Sequence, residues 1–183
     1  MGDSQARKHG RVSQHYIPVA EVHAFCQLRF VPKIIVDTSF GRLVVEEQNG
    51  FIVRLTWNDA EDNGAAASPL LHEAAAQIRA YDAGQLRRFD LPLRIEGSEF
   101  QKQVCDAMSA IPFGDTRTYG DIARDLDHPA QAVGQACGAN PIPVIIPCHR
   151  VLAASGLGGF SGAGGIETKV ALLRHEGAAG LLI

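Results

Sequence analysis

The chain has 183 residues, 46% of them hydrophobic and 20% charged, with a formal net charge of −3. That length and balance suit a folded core and exclude a disordered or collagen-like chain. No apolar stretch approaches the roughly 18–20 residues of a membrane span, and the polar N-terminus lacks the apolar centre of a secretory signal, so the expectation is a cytoplasmic protein without a membrane partner.

Residues 1–30 are expected to form an N-terminal extension whose first 14 residues are polar and basic. Three strands follow, carried by Ile34-Ile35-Val36, Leu43-Val44-Val45, and Phe51-Ile52-Val53 with Leu55 and Trp57. Phe40-Gly41 and Asn49-Gly50 mark the turns of a small antiparallel sheet. An alanine-rich acidic loop leads to a helix capped by Ser68, opened by Pro69 and ended by Gly84. Its apolar positions (Leu70, Leu71, Ala74, Ile78, Tyr81) recur at helical spacing. Residues 89–95 read as a last strand or an extended linker. A domain boundary is expected near 92–97, dividing a sheet–helix domain (31–94) from a mostly helical one (95–183).

Ser98 precedes a helix bearing Phe100, Val104, Cys105, Met108 and Ile111, stopped by Pro112. Thr118 caps a short helix with Ile122, Ala123 and Leu126 on one face. Asp127-His128-Pro129 makes a turn into a helix over 130–138. Two short helices joined this tightly are a helix-turn-helix candidate. The run Val144-Ile145-Ile146, a glycine-rich stretch over 156–165 and a final helix over about 167–175 complete an α+β fold.

The four cysteines (Cys26, Cys105, Cys137, Cys148) form no CxxC pair and do not read as a disulfide framework. His23 and Cys26 are half a metal site without a second pair, so no metal is expected. Cys148 differs from the rest. Pro141, Pro143 and Pro147 stiffen the backbone around an apolar run of β-branched residues, which reads as a buried extended segment. The chain then presents a thiol beside an imidazole and a guanidinium. A rigid backbone bearing a reactive side chain suits chemistry better than packing. An ordinary thiol needs a base or a positive charge to become a nucleophile, and His149 supplies one. In an extended segment the two side chains would point apart, so contact needs a bend or a bridging water.

The segment NPIPVIIPCHRV (140–151) resembles the active-site signature of the O6-alkylguanine-DNA alkyltransferases, the methylated-DNA–protein-cysteine methyltransferases. FGDTRTYGDIA (113–123) resembles the first helix-turn-helix element of that family. AVGQACGAN (132–140) resembles its recognition helix, and GGFSGAGGIETKVALLRHEG its C-terminal loop and helix. The match is dense over 98–177 and thinner over the sheet, where TSFGRL (38–43) carries it.

The resemblance implies a repair protein without cofactor that acts as a monomer on double-stranded DNA containing O6-alkylguanine, and by extension O4-alkylthymine. It implies a location in the cytoplasm, on the nucleoid when acting. Cys148 would accept the alkyl group in one displacement per molecule, from a guanine flipped out of the stack. His149 would act as base through a water, oriented by Glu176. Asn140 would hold the active-site turn, and Tyr119 would donate toward the departing guanine. Backbone groups near Cys148 and Val151 would read the base, Ser161 would reach O6, and Cys137, Pro143 and Phe160 would line the pocket. Ala130, Ala132 and Gly134, with Ala136, would let the recognition helix approach the minor groove closely. Gln131 stands where the family usually has an intercalating arginine. Arg117, Arg124, Arg150 and Lys169 would form a local positive face, with the alternative for Arg150 that structural hydrogen bonds tie it up. His72, His128 and His175 read as solvated, and Trp57 as sheet core.

Three other readings compete. A non-catalytic lesion-binding protein of the same fold would lack the acceptor cysteine. A transcription regulator would need polar side chains along its recognition helix, where alanine and glycine dominate. A Cys-His hydrolase would turn over repeatedly on esters or amides. The charge is spread evenly, with 10 basic and 11 acidic residues in 1–92 and 7 and 9 in 93–183. Composition alone therefore argues against a nucleic-acid partner, whereas the motifs argue for one.

Overall fold

The computed structural model describes residues 31–58 and 67–178. The expected extension over 1–30, with His23 and Cys26, lies outside the described residues, as does most of the alanine-rich loop. Strands β1 (Lys33–Thr38), β2 (Gly41–Gln48) and β3 (Phe51–Trp57) form an antiparallel sheet in the order β1-β2-β3. Asn49 and Gly50 both take positive φ, at 53° and 78°, the geometry of a two-residue hairpin turn that matches strand twist. Register puts Val36 beside Leu43 and Leu43 beside Trp57, with Ile34, Val45 and Leu55 in the next row. Between Glu46 and Glu47 the register shifts by one residue. That bulge leaves Val53 extra, so Ile52 turns inward where simple alternation from Leu55 would have aimed Val53. Ile52 is fully buried and Val53 is half-buried.

Helix α1 (Pro69–Asp82) starts as its sequence demands, with the Ser68 hydroxyl accepting from the Leu71 N–H. Its Leu71, Ala74, Ala75 and Ile78 join the sheet side chains in one core. The stretch after it is extended and runs along β3. Ile52 N donates to Pro92 O at 2.9 Å, and Arg94 N to Ile52 O at 3.0 Å.

Helices α2 (Glu99–Ser109), α3 (Tyr119–Leu126) and α4 (Ala130–Gly138) follow. A capping box starts α3: the Thr118 hydroxyl accepts from Asp121 N, and the Asp121 carboxylate accepts from Thr118 N. Asp127 ends it in the left-handed region at φ 54°, and Pro129 begins α4 two residues later. This is the expected helix-turn-helix. Val104, Cys105 and Met108 of α2, Ile122 of α3 and Val133, Ala136 and Cys137 of α4 continue the same core cluster that holds the sheet and α1. From Val31 onward the described chain belongs to one compact unit, and its core runs uninterrupted past residues 92–97.

Beyond α4 the chain makes a tight turn, then one turn of 3₁₀ helix (Cys148–Arg150) and strand β5 (Val151–Leu152). Strand β5 pairs in parallel with β4 (Arg117–Thr118), immediately before α3. Helix α5 (Ile166–His175) closes the fold, with Lys169, Leu172 and Leu173 buried. Thr118→Ala removes the hydroxyl half of the capping box and leaves the Thr118 N–H bond to Asp121 in place. It should lower unfolding free energy by about 1 kcal/mol, read as a lower urea midpoint with an unchanged slope.

Candidate active site

The apolar run before Cys148 is buried, as expected, but it is turned rather than extended. Ile146 N donates back to Ile142 O at 2.9 Å. Val144 sits at φ 72°, a strained conformation for a β-branched residue. Asn140 holds the ends of this turn together. Its Oδ1 accepts from Ile142 N at 3.0 Å, and its Nδ2 donates to Ile146 O at 2.8 Å. Val144 clusters with Tyr81 and Leu172. Pro143 is buried in the turn and is not among the residues that line the cleft at Cys148. Pro141 O accepts from Leu55 N at 2.9 Å, which ties the turn to the outer edge of β3.

The 3₁₀ turn supplies the bend that an extended segment lacked. Cys148, His149 and Arg150 are all buried, at 5%, 0% and 6% exposure. His149 Nε2 lies 2.8 Å from Glu176 Oε1. An ionised carboxylate can only accept, so Nε2 carries the proton and Nδ1 presents a lone pair. Nδ1 is buried and has no hydrogen-bond partner among the described residues. Burial pushes the imidazole below its ordinary value, and the Arg150 and Lys169 charges add to that against the pull of Glu176. His149 is therefore neutral near pH 7, which is the form that accepts a proton.

Glu176 sits at the end of α5, where the helix dipole disfavours a carboxylate. Its neighbours reverse that. Arg150 donates from Nε to Oε2 at 2.8 Å and from Nη2 to Oε1 at 2.9 Å. Tyr81 Oη donates to Oε1 at 2.7 Å, and Gly114 N reaches Oε2 at 3.4 Å. Burial alone would raise this carboxyl, but the bonds from His149, Arg150 and Tyr81 hold it well below the usual carboxylate range. Arg150 also donates to Ile111 O. It is thus a buried counter-ion and is not a phosphate contact, since its donors are directed inward to Glu176 and Ile111. Tyr81 was legible only as a helix-face aromatic. The signal in hindsight is its hydroxyl, which needs a partner when buried.

A cleft of about 380 Å³ opens over Cys148, lined by Tyr119, Gly134, Cys137, Gly138, Gly159, Phe160 and Ser161. Tyr119, Cys137, Phe160 and Ser161 thus gather with Cys148 around one cleft. Burial raises the Cys148 thiol, while a hydrogen bond from Asn140 and the Lys169 charge oppose it. Burial pushes Cys137 up to about 12, with the neighbouring thiols adding to the effect, so this second thiol stays protonated. Tyr119 is likewise raised by burial and keeps its phenolic proton. Val151 is buried, and its carbonyl accepts from Lys169 Nζ at 2.6 Å. The ammonium also reaches Gly159 O at 3.2 Å and lies 6.0 Å from the Tyr119 ring centroid. Burial lowers Lys169 to about 8. Lys169 is a strut between two backbone segments and forms no part of an exposed cationic face.

The exposed side of α4 carries Ala130, Gln131 and Gln135, with Ala132 and Gly134 half-buried. Nothing approaches the position a Cβ would take at Gly134. Ala136 faces inward, and its carbonyl accepts from Gln101 Nε2 at 2.9 Å. Arg117 pairs with Asp125 at 2.6 Å, and Arg124 pairs with Asp121. The expected local positive face is therefore largely neutralised or internal. His175, read as solvated, is half-buried; its Nε2 lies 2.7 Å from Tyr81 O and its ring packs on Phe40 and Tyr81. His72 and His128 are exposed, the latter 4.2 Å from the Phe100 ring. No group of three or more metal-ligating side chains occurs among the described residues.

Residues 99–178 match the family described as 6-O-methylguanine DNA methyltransferase, DNA binding domain. The chain is 45% identical over 123 residues to a methylated-DNA–protein-cysteine methyltransferase of Methanosarcina acetivorans, covering 66% of this chain and 78% of that one. It is 50% identical over 106 residues to the Mycobacterium tuberculosis protein of the same name, covering 56% and 63%. The crystal structure of the Mycobacterium tuberculosis O6-methylguanine methyltransferase superposes with a TM-score of 0.71 at 38% identity, over 81% of this chain and 93% of that one. A structure of the OGT of that organism in complex with DNA gives 0.69 at 40% identity, over 79% and 91%.

The pair His149–Glu176 sets the acid sensitivity of the fold. Both groups hold protons less tightly in the folded chain than in the unfolded one. Their contribution is complete above the ordinary values and is lost as pH falls. Stability should begin to drop below the ordinary histidine value of 6.5 and steepen below the ordinary glutamate value of 4.5. Urea midpoints from pH 8 to 3.5 measure this, and an opposite slope would contradict the assignment.

Proposed function

Given that the chain belongs to the methylated-DNA–protein-cysteine methyltransferase family, we propose that it repairs alkylated duplex DNA by moving the O6-alkyl group of guanine onto Cys148. The observation that carries this reading is the buried Cys148-His149-Glu176 assembly beneath a cleft bounded by the recognition helix. The neutral His149 takes the thiol proton through a bridging water at Nδ1. The Cys148 sulfur then attacks the alkyl carbon, the C–O bond breaks, and guanine leaves with its electron pair. Tyr119, still protonated, donates toward the departing base. The thioether has no internal leaving group and no second nucleophile to reset it, so each molecule acts once.

Residues 95–183 carry the DNA surface and the acceptor, and residues 31–94 brace them. DNA meets α4 through Ala130, Gln131, Ala132 and Gly134, whose small side chains leave the helix free to approach closely. Glutamine at 131 fills the gap left by the flipped base without the charge or the stacking plane of an arginine. Phosphate contacts are few, which gives a shallow salt dependence. Among the described residues no helix is long and apolar enough to cross a membrane. The protein works as a monomer on the chromosome, in the cytoplasm. A lesion-binding role without transfer is not favoured, because Cys148 is present with its base and carboxylate assembled behind it.

Incubation with duplex DNA holding one O6-methylguanine should add one methyl mass per molecule, mapped by peptide analysis to Cys148. Cys148→Ala should take up none, and His149→Ala should slow the transfer by roughly 10²–10⁴-fold. Mass gain beyond one methyl, or gain elsewhere, would refute the single-acceptor reading. Gln131→Arg adds a cation to the DNA face. It should tighten duplex binding and steepen the slope of log affinity against log salt by up to about 0.9, measured by fluorescence anisotropy.

A further inference from the structure

One wall of the alkyl pocket is supported from outside the helical half of the chain. Phe160, which lines the cleft with Cys148, belongs to a loop in which six of the ten residues 156–165 are glycine. Such a loop has little side-chain means of holding a ring in place. Trp57, at the end of β3, meets Phe160 edge-on, with centroids 5.9 Å apart and an interplanar angle of 78°. The favoured edge-to-face geometry of aromatic pairs lies within these limits.

The indole is itself fixed from behind. Its Nε1 donates to Phe40 O at 2.9 Å, and a Cβ at Gly41 would come within 3.2 Å of Cδ1. On the loop side, Gly162 lies so close that a Cβ there would meet Phe160 at 2.3 Å and Trp57 at 2.8 Å. The loop is pinned on both sides of Phe160, by Lys169 Nζ at Gly159 O and by Thr168 Oγ1 at Ala163 O, 2.6 Å. Between those pins the Phe160 ring leans on the sheet.

We propose that Trp57 is a specificity-determining residue that acts through Phe160. The sheet supports the indole, the indole supports the phenylalanine, and that ring sets the largest alkyl group that can sit over Cys148. This inference rests on the alkyl-transfer reading and names what limits its substrate range.

The test compares transfer rates from duplexes carrying O6-methylguanine and O6-benzylguanine, followed by intact mass. Trp57→Ala should keep methyl transfer within a few-fold and shift the benzyl-to-methyl ratio by about tenfold toward benzyl, in the range one pocket group commands. Trp57→Phe keeps a ring and should shift it less, which also guards against a misfolded alanine variant. Phe160→Ala should shift the ratio in the same direction. In the double variant, Trp57→Ala should add less than twofold, since its action passes through the missing ring. Independent, multiplying effects would overturn the proposal, as would an unchanged ratio in Trp57→Ala. Trp57 is the sole tryptophan, so its emission gives a readout free of chemistry: Phe160→Ala should shift it, and an unmoved spectrum would also overturn the contact. Failure of the unaltered protein to transfer methyl at all would instead strike the reading beneath.

Discussion

A single buried carboxylate organises this molecule. Glu176 gathers an imidazole, a guanidinium, a phenol and a backbone amide from three separated parts of the chain. A buried charge is tolerated only when it is paired and fully hydrogen-bonded, so the arrangement is close to all-or-none. Removing any one donor leaves part of the charge uncompensated. The 3₁₀ turn at Cys148–Arg150 follows from this demand. It brings His149 and Arg150 onto the same carboxylate while Cys148 lines the cleft. The geometry that aims the base is thus also the geometry that neutralises the acid.

The thiol stands in tension with its surroundings. Burial raises it, which protects it from indiscriminate oxidation but also withholds the nucleophile. The site offsets this with a neutral base, an amide from Asn140 and the nearby Lys169 charge. None of these alone makes a standing thiolate. Deprotonation is best coupled to the arrival of substrate, when the base can take the proton as the carbon is attacked. The strained Val144 fits the same picture: the turn is over-determined by Asn140 and by packing against Tyr81 and Leu172, so a conformation costing roughly 1–3 kcal/mol persists.

Local chemistry was the legible part of the sequence. Ser68, Ser98 and Thr118 each cap a helix because a hydroxyl can serve the first orphan amides, and that needs only neighbours in sequence. Asn49-Gly50 and Asp127 declared their turns for similar reasons. Cys148, His149 and Glu176 were found as a set through the resemblance, since 27 residues part His149 from Glu176. What stayed hidden depends on distant partners. Nothing local says that Lys169 is internal, or that Glu176 and Ile111 are the groups that hold Arg150, because those partners lie far along the chain. Three β-branched residues between prolines suggested extension, whereas the Asn140 side chain, together with packing against Tyr81 and Leu172, holds a reversal. Tyr81 and Trp57 looked like core aromatics, and they are, but each also touches the site.

The family signature spans residues 99–178, yet three of the site's supports lie outside it. Leu55 offers an amide to Pro141, Tyr81 a hydroxyl to Glu176, and Trp57 a ring to Phe160. The first half of the chain is therefore no interchangeable module. A hybrid joining this helical half to a foreign partner sheet would inherit the nucleophile and its base but not their scaffolding, unless the graft also brought an amide, a phenol and an indole to the same three points. Modularity here ends where those three contacts begin.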